Sequence, residues 1–223
     1  MKLKSLAVSL CLASLALTGC ASKYVEPEQY SGFLKDYSML KEEKSPTGAP
    51  VMRWIKPGIN TNGFTSVFIE PSQLYPRPQP TENVPASTLQ GITQYYDQAL
   101  KREFSTVLPL ATSAGPGTLV VRPAITAVSA KTKGLQPYEV IPIALIAAGV
   151  STATGIRDQD TSIATEAQFL DGRSNQVLAQ VVRKGAGAEL DNSDQKMTAK
   201  DAKAVLDGWA KDMVKSFQQL KAK

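Results

Sequence analysis

Few residues in this 223-residue chain are of types that do chemistry, and there is no histidine among them. The commonest general base and the commonest metal ligand are therefore both missing. A serine hydrolase would need a lysine base, and no Gly-x-Ser-x-Gly elbow is present to expose a serine, so a Ser-Lys dyad is the one such arrangement left open. Gly115-Pro116-Gly117 lacks the following Lys-Ser or Lys-Thr of a phosphate loop and reads as a turn into a strand. Asp158 and Asp160, in "RDQD", offer carboxylate oxygens to Ca²⁺ but lack the further acids and glycine of a calcium loop, and read as a solvated loop. Glu166 and Asp171 stand five apart at opposite parity in a strand and turn, poorly placed as an acid/base pair, and Asp171 reads as a turn residue. Lys211, Lys215, Lys221 and Lys223 complement the dipole of a last helix. The expectation is a non-enzyme with no catalytic residue, no cofactor and no metal.

The remaining reactive side chain is a thiol. Met1 to Lys4 is a short basic start, and Leu6 to Leu17 is uncharged over about 12 residues, below the ~20 of a membrane-spanning helix, so the stretch reads as a cleaved signal peptide. It runs into Leu17-Thr18-Gly19-Cys20, which resembles the bacterial lipobox. In that signal the Cys sulfur takes diacylglycerol, the chain is cut between Gly19 and Cys20, and the new amino group is acylated, with palmitate as an expected chain. Three acyl chains hold far better than one, at ~0.8 kcal/mol per buried CH₂. The inner-membrane retention signal would place Asp where Ala21 stands, so the expected address is the outer membrane, with the domain facing the periplasm. Removal of residues 1–19 takes Cys11, Lys2 and Lys4, leaving no second thiol for a disulfide and 23 basic against 20 acidic residues. That balance is far from a nucleic-acid footprint, and no nucleic-acid partner is expected.

The elements that must carry a function follow from pattern. Residues 20–62 are polar and broken by Pro27, Pro46, Pro50 and Pro57, which reads as a lipidated N-terminus and tether. Within it Phe33, Leu34, Tyr37 and Leu40 have helical spacing, a short docking helix capped by Ser31. Residues 63–223 read as a single α+β domain. Its elements are a strand at "TSVFIEP" (65–71) and a helix from a Ser87/Gln90 capping box to about Leu108, with Leu89, Ile92, Tyr96, Leu100, Phe104 and Val107 on one face. A strand at 117–130 follows, then a hairpin at 161–185 turning at Asp171 to Asn175, and a last helix capped by Thr198 with Val205, Leu206, Trp209, Met213, Phe217 and Leu220 in its stripe. The expected architecture is a mostly antiparallel four-stranded sheet with two main helices on one face.

One stretch does not fit this alternation. Val140 to Ile156 holds 17 uncharged residues, beginning "VIPIALIAAGV". As a helix from Ile143 to Val150 it would be about 12 Å long, against the ~30 Å of hydrocarbon in a bilayer. It can pack on the sheet, dip into the lipid interface or join subunits, and Ile143, Leu145 and Ile146 are the candidate contacts for membrane or partner.

"YSGFLKDYSML" (30–40), "VFIEP" (67–71), "ATG" (153–155) with the following "RDQD", and "TEAQFLDGRSNQVLA" (165–179) together resemble domain-of-unknown-function family 3313, a family of Gram-negative envelope lipoproteins. Arg173-Ser174-Asn175 departs from the Thr-Gly turn more usual in that family. The resemblance implies an envelope address and domain boundaries, and carries no catalytic residue. The functional expectation is an outer-membrane-anchored periplasmic lipoprotein that binds or supports another envelope component. Its partners would be the membrane through the anchor, and an unknown envelope protein or itself. The alternative is a subunit of a membrane-associated oligomer using residues 140–150.

Overall fold

The computed structural model describes residues 23–132, 159–192 and 194–222. In chain order these form β1 (Lys41–Lys44), β2 (Pro50–Ile55), β3 (Ser66–Ile69), β4 (Gln73–Leu74), α1 (Ala86–Phe104), β5 (Thr118–Thr132), β6 (Gln159–Asp171), β7 (Val177–Ala186) and α2 (Ala199–Lys221). The strands make one sheet in the order β1-β2-β7-β6-β5-β3, with β4 also beside β5. The sheet therefore has seven strands where four were expected. It is mostly antiparallel, but β3 and β4 run parallel to β5. A parallel neighbour needs a crossover, and α1 is that crossover.

β5 and β6 pair from Leu119 opposite Asp171 to Thr132 opposite Gln159, with a bulge between Ile125 and Ala127. Their alternating residues face two different layers. Leu119, Val121, Ile125, Ile163 and Ala167, with Val181 of β7, join the stripes of α1 and α2 in the main core. The stripes are those expected: Leu89, Ile92, Tyr96, Leu100 and Phe104 of α1, and Leu206, Trp209, Met213 and Phe217 of α2, are all buried. α1 begins after Pro85, with no side-chain cap, so Ser87 and Gln90 lie inside the first turns instead of forming a box. Asp201 of α2 does accept the Thr198 backbone N–H, at 2.7 Å.

The segment expected as a tether belongs to this fold. β2 pairs with β7, Met52 opposite Val182, and β1 with β2. Ahead of them, residues 23–40 form a strap across the sheet's second face, where Val25, Leu34 and Leu40 pack with Met52 and Val182. No helix forms at Ser31 to Leu40. Gly32 takes φ +87°, a left-handed conformation that interrupts helical backbone, and the Ser31 and Leu34 N–H groups donate to a sheet side chain instead. Gly19, Cys20, Ile143, Leu145 and Ile146 lie outside the described residues. Among the described residues no helix is long and apolar enough to cross a membrane.

Candidate functional site

The last turns of α2 overhang the end of the sheet and leave a cleft there. Its walls are Ile55 of β2, Ile59 and Phe64 of the following loop, Leu119, Phe169 and Leu178 from β5 to β7, and Met213, Phe217 and Leu220 of α2. The inner part has about 50 Å³ of free space. A buried water needs ~10–15 Å³, so the space admits a few methyl-sized groups. It opens into a hollow of about 690 Å³ rimmed by Glu43, Arg53, Lys56, Asn60, Asn62, Ser216 and Gln219. The cleft is thus apolar inside and polar at the mouth.

Two arginines line it, both directed to the helix face by strand alternation. At the mouth, Arg53 Nε donates to Glu43 Oε2 at 2.9 Å and Nη1 to Ser216 Oγ at 3.2 Å. Lys56 Nζ donates to Gln176 Oε1 at 2.6 Å. At the inner end Arg183, 2% exposed, donates through Nη1 to Asp212 Oδ2 at 2.8 Å. Its Nε has no hydrogen-bond partner among the described residues. Burial pushes the Asp212 carboxyl up, but Ser45, Arg183 and Thr47 together outweigh it and hold the group below its ordinary value. Burial also pushes the nearby Tyr96 phenol up to about 12, against the lowering influence of Arg183 and Thr165. The cleft can therefore receive an apolar tail and meet its polar end with cations and amides. Among the described residues no group of three potential metal ligands forms.

The family match covers Gln29 to Met213, a span that takes in most of the strap, all seven strands and α1, and its description is "Protein of unknown function (DUF3313)". The chain belongs to the DUF3313 family. It is 42% identical over 198 residues, 89% of each chain, to "Uncharacterized lipoprotein YdcL" of Escherichia coli K12. Among solved structures it resembles the PelC dodecamer from Paraburkholderia phytofirmans at TM-score 0.39 and 10% identity, covering 73% of this chain and 96% of that one. It also resembles a putative neuraminyllactose-binding hemagglutinin homolog from Helicobacter pylori at TM-score 0.38 and 11% identity, covering 74% and 89%. This DUF3313 chain is thus a homologue of an uncharacterised lipoprotein.

The residues weighed in the sequence are dispersed over the DUF3313 fold. Asp171 is the expected turn residue: its Oδ1 accepts from the N–H of Arg173 and Ser174, at 3.1 and 2.7 Å, and from Ser174 Oγ at 2.8 Å. Gly115-Pro116-Gly117 leads into β5 as expected, with Thr118 N–H bonded to Gly115 O at 3.1 Å. Asp160 lies in β6 opposite Lys131, not in a loop, because β6 begins earlier than its apolar pattern does; Asp158 is outside the described residues. Lys211, Lys215 and Lys221 are exposed on α2. Asp207 is engaged by Tyr95 and Arg102 of α1. Glu166, on the strap face and 1% exposed, is the residue most underestimated by pattern. It accepts from Ser31 N–H at 3.0 Å, Leu34 N–H at 3.3 Å and Tyr37 Oη–H at 2.6 Å, and so clasps the strap. Neither the cleft nor the Arg183–Asp212 pair had a sequence signal, since Asp212 interrupts the helical stripe with a charge.

Proposed function

We propose that this protein is a non-enzymatic lipoprotein of the outer membrane, acylated at Cys20, with its domain in the periplasm. In this reading the domain binds an amphiphilic envelope component in the cleft between α2 and the ends of β2 and β7. The occupant has a narrow apolar end and a polar or anionic one. The carrying observation is the cleft itself: apolar walls closing on Arg183, whose Nε is unpartnered among the described residues, with Arg53 and Lys56 at the mouth. Ligand sites commonly combine an apolar lining with a few placed polar groups. The lipobox at Cys20 and the 42% identical lipoprotein relative support the anchored setting.

Two measurements test the two halves of the reading. Mass spectrometry of the N-terminal fragment, with density separation of the two membranes, should find acylated Cys20 in the outer-membrane fraction; an unmodified Cys20 contradicts the anchor. Native mass spectrometry of a Cys20→Ser chain purified from the periplasm should show a bound adduct. Ile59→Trp, which fills the inner cleft, should lose it. An adduct retained by that variant places binding elsewhere.

A further inference from the structure

The chain joining the anchor to the domain is short. Val25 is 3% exposed, packed with Leu34, Met52 and Val182 under the strap. It lies five positions after Cys20, and an extended chain spans at most ~3.3–3.6 Å per residue, a reach of roughly 17 Å. Had residues 20–62 been the free tether their composition suggests, the reach would exceed 100 Å by the same rule. The strap is held down by Glu166 and its three donors, by the Tyr30–Tyr37 stack with centroids 4.2 Å apart, and by Lys184 Nζ donating to Gln29 at 3.0 Å.

The composition of that face is the second observation. Tyr24, Tyr30, Phe33, Tyr37 and Trp54 are all partly buried on it, against the Val25–Leu34–Met52 cluster. Met39, 42% exposed, ends the strap, and Tyr75, 37% exposed, packs edge-on against Phe33. These are two of the three most exposed large apolar side chains among the described residues. Rings that are apolar in body and polar at one end suit the boundary between headgroups and water. Charge gives no competing explanation, since residues 23–42 carry three lysines against four acids.

We propose that the strap face of the sheet lies against the lipid headgroups, with Tyr24, Tyr30, Met39, Trp54 and Tyr75 at the bilayer boundary. The opposite face, with α1, α2 and the cleft, then opens to the aqueous compartment. This inference rests on acylation of Cys20. Because the contact follows from the anchor and the aromatic face, it is insensitive to salt and to the content of anionic lipid.

The chain holds two tryptophans, one on each face, which makes a direct test available. The full mature lipoprotein is reconstituted in phosphatidylcholine vesicles carrying a nitroxide near the top of the acyl chains. With Trp209→Phe, the emission of the remaining Trp54 should be clearly quenched, because an indole at the membrane–water interface lies within reach of that nitroxide. With Trp54→Phe, Trp209 should be unaffected. An independent reading leaves the core untouched: exposed Ser38 in the strap and exposed Ser105 after α1 are replaced singly by cysteine. On vesicles Ser38→Cys should be shielded from an aqueous maleimide and Ser105→Cys should react freely, while both react in detergent. Protein that fails to float with the vesicles overturns the acylation reading and this inference together. Protein that floats with Trp54 unquenched and Ser38→Cys freely labelled overturns this inference alone.

Discussion

Asp212 and Arg183 are 2% and 1% exposed at the side chain and meet at 2.8 Å beneath α2. Such a pair is weak evidence for stability, but breaking it leaves an uncompensated buried charge. Asp212→Ala should therefore cost about 3–5 kcal/mol in chemical unfolding, while a matched replacement of both by Leu and Met should lie near neutral or above wild type. The Asp212 carboxyl is held below its ordinary 3.8. Its contribution is thus complete above pH 3.8 and is lost as pH falls through the lower folded value. Asp212→Asn should remove that part of the acid sensitivity. Tyr37 has the opposite sign: burial first, then the bond to Glu166, raise its phenol well above the ordinary 10.0. Its contribution holds below pH 10.0 and is lost as pH rises through the raised folded value. Tyr37→Phe removes a hydrogen bond to a charged group and should cost about 1.5–3 kcal/mol at neutral pH. It should also flatten part of the alkaline decline, the remainder belonging to Tyr30, Tyr95 and Tyr96, whose phenols are also raised.

At the scale of elements, α2 is the piece on which both the core and the cleft depend. Trp209, 5% exposed, packs in the main core and lies over Gly185 of β7, where an added Cβ would come within 3.1 Å of the ring. Trp209→Ala should cost about 3–5 kcal/mol, and an unchanged melting midpoint would contradict its burial. The stripes of α1 and α2 and the β5 to β7 strands were legible because period 3.6 and period 2 patterns ran long enough to stand out. β1 and β2 were not legible. "KEEK" is wholly polar because it is an edge strand, and β2 is framed by Pro50 and Pro57, so neighbouring prolines outweighed the apolar Val51, Met52, Trp54 and Ile55. The apparent helix at Phe33 to Leu40 had the right spacing for a different reason: Leu34 and Leu40 reach the sheet from an irregular strap whose N–H groups are taken by Glu166. Long-range pairing of that kind leaves no local pattern. Residues 140–150 lie outside the described residues, in the chain between Thr132 and Gln159. Leu145→Asp separates the alternatives for this segment: a collapsed melt would support packing in the core, where an unpaired charge is costly. A cooperative, unshifted melt with loss of a larger species would instead support assembly through this segment.

For the whole molecule, the strap and the cleft lie on the two opposite faces of one sheet. The strap face carries the route to Cys20 and the aromatic side chains, and the helix face carries the cleft. Under the proposed acylation of Cys20, this arrangement would present the cleft away from the membrane. The most direct test is titration of a Cys20→Ser chain lacking residues 1–19 with butyrate, a carboxylate whose short apolar tail matches the few methyl-sized groups that the inner cleft admits, followed by calorimetry. The account predicts saturable binding that Ile59→Trp abolishes without lowering the melting midpoint, and that Arg53→Gln weakens. Absence of binding, or binding unchanged in the Ile59→Trp variant, would contradict it.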